Sequence, residues 1–206
     1  MADRGIGARA AQSSRRHRTG RGALGNRRMS RAAASAPGGA VRARRARAAD
    51  ARAIHALVTR YSAQGLLLPR SENEIRAHIG RFLVLAEKEH ILGCVALEAY
   101  GADLAEIRSV AVDDATRGRG LGGRLVQYAL AEAKRRGFAR VFAVTHAPEF
   151  FARQGFALTT RLALPEKIER DCRTCPKQRS CHLAAVVAVV SHERAVLPVL
   201  APAAPV

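Results

Sequence analysis

Small apolar residues alternate with arginine over residues 41–47, the period-two pattern of an edge strand with one solvated face. The spacing then changes. Ile54, Leu57, Val58 and Tyr61 stand at i, i+3, i+4 and i+7, which predicts a helix to about Ala63, capped by Asp50 and stopped by Gly65. After the loop Leu66-Leu67-Leu68-Pro69-Arg70, the tetrad Ser71-Glu72-Asn73-Glu74 has the form of a capping box, and a short helix through Ile75 and Ile79 should follow. Three strand-like runs come next, 81–87, 91–100 and 104–112, separated by turns as in a meander. A glycine-rich turn leads into a second amphipathic helix, 122–136, with Leu125, Val126, Ala129, Leu130 and Ala133 on one face and Gly137 as its stop. Residues 141–145 read as a buried strand, Pro148 opens a short helix ending at Gln154-Gly155, and 156–164 returns as a final strand. The order β-α-α-β-β-β-α-β-α-β predicts an α/β fold: one mixed, mostly antiparallel sheet flanked by helices, in a single domain with a disordered N-terminal tail.

Charge alters this picture at one end only. The 206 residues carry a net charge of +18, but residues 1–48 hold 13 Arg, no Lys and the single acid Asp3. Residues 1–40 cannot bury enough apolar surface to fold and are expected to be a disordered Arg/Ala/Gly-rich tail. An inert or mis-started extension, a weak polyanion-binding arm and a transit peptide remain open for it, as does Met1 as the true start. Residues 41–165 form the expected domain, and 166–206 a C-terminal segment with clustered cysteines and a Pro/Ala-rich end. The longest apolar run, 183–190, has eight residues against the ~18 of a membrane span, so a soluble, cytoplasmic protein without membrane contact is expected. Aromatic residues make up 4 % and Trp is absent, which leaves few platforms for bases; nucleic-acid contact is expected only nonspecifically, through the tail. Cys94, alone in an apolar strand, reads as a buried inert thiol.

The clearest chemical signal is Arg117-Gly118-Arg119-Gly120-Leu121-Gly122, with Gly123 behind it, between a strand and a helix. Glycines let the backbone turn sharply and expose N–H groups, and the helix N-terminus adds partial positive charge. That combination cradles a pyrophosphate, and the two arginines add charge. The spacing is neither a Walker A nor a dinucleotide fingerprint. It resembles the Arg/Gln-x-x-Gly-x-Gly/Ala loop of the GNAT N-acetyltransferase family, with Arg117, Gly120 and Gly122 in the fixed positions. The resemblance implies the GNAT fold and acetyl-CoA as co-substrate. The pantetheine arm would lie along the free backbone of Val110, Ala111 and Val112, with the pyrophosphate on the loop from Arg117 to Gly123.

Four further segments narrow the resemblance: Leu-Leu-Leu-Pro-Arg-Ser (66–71), Leu-Ala-Glu-Ile-Arg-Ser-Val-Ala-Val (104–112), Pro-Glu-Phe-Phe-Ala-Arg-Gln-Gly-Phe (148–156) and Leu-Pro-Glu-Lys-Ile (164–168). In this order they look like the short, stand-alone bacterial N-acetylglutamate synthases, which acetylate L-glutamate in the first step of arginine biosynthesis and lack an amino-acid-kinase domain. Glu106 matches the family's glutamate proposed to act as base through water, a task suited to a partly buried carboxylate; the plainer reading is a solvated strand residue. A backbone N–H near Val110 would hold the oxyanion. Arg70 matches an arginine that grips a substrate carboxylate, with Arg108 and Lys167 as further cations. Where many family members place a general-acid tyrosine this chain has Phe150-Phe151, so His146 is the nearest titratable alternative.

Cys172-x-x-Cys175-x5-Cys181-His182 opens like a zinc site, although adjacent Cys181 and His182 would strain tetrahedral ligation. Reduced structural thiols, a structural zinc and a regulatory disulfide all fit the spacing. The resemblance leaves room for a homodimer. Two other functions compete with the synthase reading: a GNAT enzyme for another amine, and a nucleic-acid-binding regulator supported only by the basic tail.

Overall fold

The computed structural model describes residues 40–175, 178 and 181–190; the arginine-rich leader and the chain beyond Val190 lie outside them. Seven strands form one sheet in the order β1-β2-β3-β4-β5-β7-β6. They are β1 (Arg42–Arg45), β2 (Phe82–Glu87), β3 (His90–Ala99), β4 (Leu104–Val112), β5 (Arg140–Thr145), β6 (Ala157–Thr159) and β7 (Ala184–Val189). Every pairing is antiparallel except β4 with β5. The helices are α1 (Ala51–Ala63), α2 (Glu72–Ala77), α3 (Leu121–Arg135), α4 (Pro148–Ala152) and α5 (Pro165–Lys167). None of the described helices is long and apolar enough to cross a membrane.

Alternation along the strands builds two cores. Leu83 and Leu85 of β2 face one side, where Leu121, Leu125, Val126, Ala129 and Ala133 of α3 cover them. Phe82, Val84 and Ala86 face the other, against Ile54, Leu57 and Val58 of α1 and Ile75 of α2. Both helices thus bury the apolar stripe that their sequence spacing predicts.

Three expectations need correction. Residues 156–164 do not form one strand: β6 spans three residues, then backbone bonds from Ala163 to Thr160 and from Leu164 to Arg161 close a 3-10 turn that leaves Leu162 exposed. The sheet is completed instead by β7, the apolar run 183–190, which inserts between β5 and β6. Asp50 does not cap α1 with its side chain. It accepts from Arg44 at 2.6 and 2.9 Å and from the Arg47 N–H at 2.7 Å, so it closes the preceding turn. Only half of the capping box forms: Ser71 Oγ accepts from the Glu74 N–H at 3.1 Å, while the Glu74 carboxylate turns to Arg70.

Candidate active site

β4 and β5 share only three rungs, Leu104 with Arg140, Ala105 with Val141 and Glu106 with Phe142. Past Glu106 they part, and among the described residues β4 has no strand on its β5 side. Its other edge stays bonded to β3, where Ser109 and Val110 stand against the one residue Val95. Ser109 takes a φ of 52°, the left-handed region, and the bulge bends the strand. Gly93 permits the close approach of β3, because a Cβ there would stand 2.9 Å from both the Ala111 carbonyl oxygen and Leu125 Cδ1. The segment 107–112 is therefore an open strand edge where β4 has parted from β5, suited to an extended amide-bearing arm.

The strand leads on to the glycine turn before α3. Gly118 and Gly120 have φ of 79° and 69°, and α3 begins directly after them. The Arg124 N–H bonds the Gly120 carbonyl at 3.1 Å, whereas the amides of Leu121, Gly122 and Gly123 open the helix with no carbonyl one turn back. Gly122 and Gly123 pack closely against the next helical segment: a Cβ would meet the Phe150 ring at 3.4 Å and the Gln154 side chain at 3.2 Å. Arg117 and Arg119 are exposed, with Arg117 held by Asp114 at 2.7 Å. Tyr61 donates its hydroxyl to the Val112 carbonyl at 2.8 Å and so braces the strand end. Open amides, the N-terminus of a fifteen-residue helix and two cations fit a pyrophosphate.

A second constellation gathers where β4 leaves β5. Glu106 is 3 % exposed, and its carboxylate accepts from Lys167 Nζ at 2.9 and 3.0 Å, from the Tyr100 hydroxyl at 2.9 Å and from Arg108 Nε. The same three side chains serve Asp171: Lys167 at 2.6 Å, Tyr100 at 2.5 Å, and Arg108 through Nη2. Tyr100 is buried between the two carboxylates, its ring edge-on to Phe142 with centroids 5.2 Å apart. Arg170, Arg108 and Lys167 place their charges 4.5, 5.5 and 5.6 Å from the ring centre. Arg170 also reaches Glu98 at 2.5 Å, whose other oxygen pairs with Arg81 at 2.6 Å.

Burial and the negative charge of Glu106 push the Tyr100 phenol well above its usual range. Burial also raises Asp171, but Lys167, Tyr100 and Arg108 outweigh it and hold that carboxyl down to about 2. For Arg108, burial opposes the charge, yet Glu106, Tyr100 and Asp171 bind its proton more tightly than usual. Cys94 fits its sequence reading: fully buried, with burial pushing its thiol up to about 12.

Of the residues singled out by sequence, Glu106, Arg108 and Lys167 meet in this cluster, Lys167 arriving from α5 across 61 positions. Arg70 instead pairs with Glu74 at 2.5 Å and, among the described residues, shares no hydrogen bond or ion pair with the Glu106 cluster. His146 is exposed just past β5, with no hydrogen-bond or ion-pair partner among the described residues. Cys172, Cys175 and Cys181 are free thiols, and no described group of three or more His, Cys, Asp or Glu, His182 included, is arranged to hold a metal ion. Sequence reasoning missed Tyr100, Asp171, Glu98, Arg170 and Arg81. The one local signal was the i, i+4 spacing of Lys167 and Asp171.

The chain matches the acetyltransferase (GNAT) family over residues 48–156 and belongs to that family of N-acetyltransferases. It is 40 % identical over 144 residues to an N-acetyltransferase of Chlorobaculum tepidum, across 70 % of this chain and 93 % of the relative. An amino-acid acetyltransferase of Mycobacterium tuberculosis is 39 % identical over 116 residues, 55 % of this chain and 66 % of its own. The N-acetylglutamate synthase of Neisseria gonorrhoeae, solved with coenzyme A and N-acetyl-glutamate, superposes with a TM-score of 0.68 at 30 % identity. That match covers 74 % of this chain and 35 % of the synthase, so this chain spans about a third of the larger enzyme.

Proposed function

We propose that this chain transfers the acetyl group of acetyl-CoA to the α-amine of L-glutamate, the first step of arginine biosynthesis. The observation that carries the reading is the meeting of Glu106, Arg108 and Lys167 where β4 leaves β5. The open edge at 107–112 suits the pantetheine arm, and the amides that open α3, with Arg117 and Arg119, suit the pyrophosphate. Glu106 takes a proton from the substrate ammonium through a water, and the freed amine attacks the thioester carbon. A backbone N–H near Val110 holds the tetrahedral oxyanion. As the carbonyl re-forms, the C–S bond breaks, the nitrogen sheds its second proton, which the thiolate takes up, and the first proton leaves Glu106 through the water to solvent. Arg108 and Lys167 offer cations to a substrate carboxylate, and Arg70, placed by resemblance, offers a third.

Charge supports an anionic acceptor over a polyamine. The carboxylates of Glu98, Glu106 and Asp171 are each paired with cations, so they present no acidic surface to a polycation. The relatives point the same way, one being an amino-acid acetyltransferase and another a synthase solved with N-acetyl-glutamate. The test follows free CoA release from acetyl-CoA over the twenty amino acids and several polyamines. Turnover confined to glutamate supports the proposal, turnover with another amine reassigns the acceptor, and no turnover with any of them shifts weight to a protein acceptor or a non-catalytic role. Removing residues 1–40 should leave turnover unchanged; loss of activity would favour a role for the basic tail.

A further inference from the structure

Glu106 and Asp171 draw on one donor set, Tyr100, Arg108 and Lys167. A tyrosine has one hydroxyl hydrogen, so Tyr100 can serve only one of them at a time. The two carboxylates differ in how firmly they are held. The Glu106 side chain is 4 % exposed and lies in a strand bonded on both edges; that of Asp171 is 28 % exposed. Asp171 also belongs to a π-type turn, Ile168–Cys172, an irregular form that recurs at functional positions. Where its Oδ2 lies, a hydroxyl, an ammonium and a guanidinium converge within reach of solvent, the set that any carboxylate ligand would need.

We propose that Asp171 is a built-in competitor: it occupies the position that a carboxylate of the acceptor takes during turnover, and the acceptor must swing it away to bind. This rests on the reading that the acceptor is a carboxylate-bearing amine. Among these four groups, Arg108 and Lys167 balance Glu106 and Asp171. An added carboxylate would leave three negative charges against two positive in a poorly screened site, and moving Asp171 outward restores the balance. A receiver is at hand, because Arg170 Nε is 3.9 Å from Asp171 Oδ1 and its side chain is 43 % exposed. The arrangement makes Asp171 a specificity residue. An amine without a carboxylate gains nothing by displacing it, so only an anionic acceptor opens the site.

The full chain is compared as wild type and as Asp171→Asn, Asp171→Ala and Asp171→Glu, with CoA present and glutarate, a dicarboxylate without an amine, titrated by calorimetry. If the displaced state of the wild type is about one-tenth populated, Asn and Ala should bind glutarate roughly tenfold tighter. Asp171→Glu keeps a competing carboxylate and should stay near wild type. Equal or weaker binding by folded Asn and Ala variants overturns the proposal. Should both fail to fold, hydrogen exchange of the wild type carries the test: glutarate should speed exchange at residues 168–172, and unchanged exchange there overturns it. A chain that shows the tightening but turns over no glutamate loses the acceptor reading and keeps the competitor. Glutamate turnover without tightening does the reverse.

Discussion

Glu106 faces Phe142 on the last rung that β4 and β5 share, so its carboxylate stands at the apex of the gap between the strands. That placement joins two requirements of a base, a buried position and a neighbouring open strand edge. Glu106→Gln keeps the shape and removes the proton acceptor. It should lower kcat by roughly two to four orders of magnitude. Affinity for CoA should persist, because the glycine turn at 117–123, the proposed pyrophosphate site, lies elsewhere. Steady-state turnover and a CoA titration measure both, and an undiminished kcat would remove Glu106 as the base.

Gly93 governs the same strand from the other edge. Alanine there would place its Cβ 2.9 Å from the Ala111 carbonyl oxygen, a backbone atom that cannot rotate away. Gly93→Ala should cost about 1–3 kcal/mol. Because Ala111 belongs to the open edge, the KM for acetyl-CoA should rise as well. Gly80→Ala is the control, since its Cβ would meet nothing within 4 Å. Urea midpoints that move equally in the two variants would show that the contact has no special weight.

Much of this fold was legible because the informative patterns are local. The strand-like runs of β2 to β4 and the apolar stripes of α1 and α3 are each contained within one element. The sheet fails to be legible where neighbours are distant. β7 looked like a bare apolar run, because its partners β5 and β6 precede it by way of an irregular segment without periodicity. The site divides likewise. Glu106, Arg108 and Lys167 stand in recognisable segments, whereas Asp171 meets Tyr100 across 71 positions through tertiary packing alone. Asp50 misled for a physical reason: an aspartate before a helix can cap it, but a nearby guanidinium competes for the same oxygens.

Arg70 allows a sharp separation of structural and substrate roles. Its pair with Glu74 involves side chains 18 % and 43 % exposed, an arrangement that contributes about 0–1 kcal/mol. Arg70→Ala should therefore leave thermal stability nearly unchanged. If the guanidinium grips a glutamate carboxylate, losing it costs about 1.5–3 kcal/mol of binding, a rise in KM of roughly ten- to a hundredfold. The KM for acetyl-CoA should not move. An unchanged KM for glutamate would confine Arg70 to its partner on α2.

Acid stability provides the last prediction. Asp171 is held down to about 2, against ~3.9 for an unfolded aspartate. A group whose pKa is depressed on folding contributes stability above its unfolded value and loses it as pH falls through the folded one. The contribution of Asp171 should thus be complete above about pH 5 and fade on the way to pH 2. It is not alone. Arg44 holds Asp50 low, and Glu98 and Glu132, which burial raises, are held low by Arg170 with Arg81 and by Arg135 with Arg136. Wild type will therefore lose stability in acid for several reasons at once. Comparison with Asp171→Asn isolates one of them: wild type should have the higher denaturant midpoint near neutral pH, and the difference should shrink steadily in acid. A difference that stays constant with pH would show that Asp171 stabilises the fold through packing rather than through its charge.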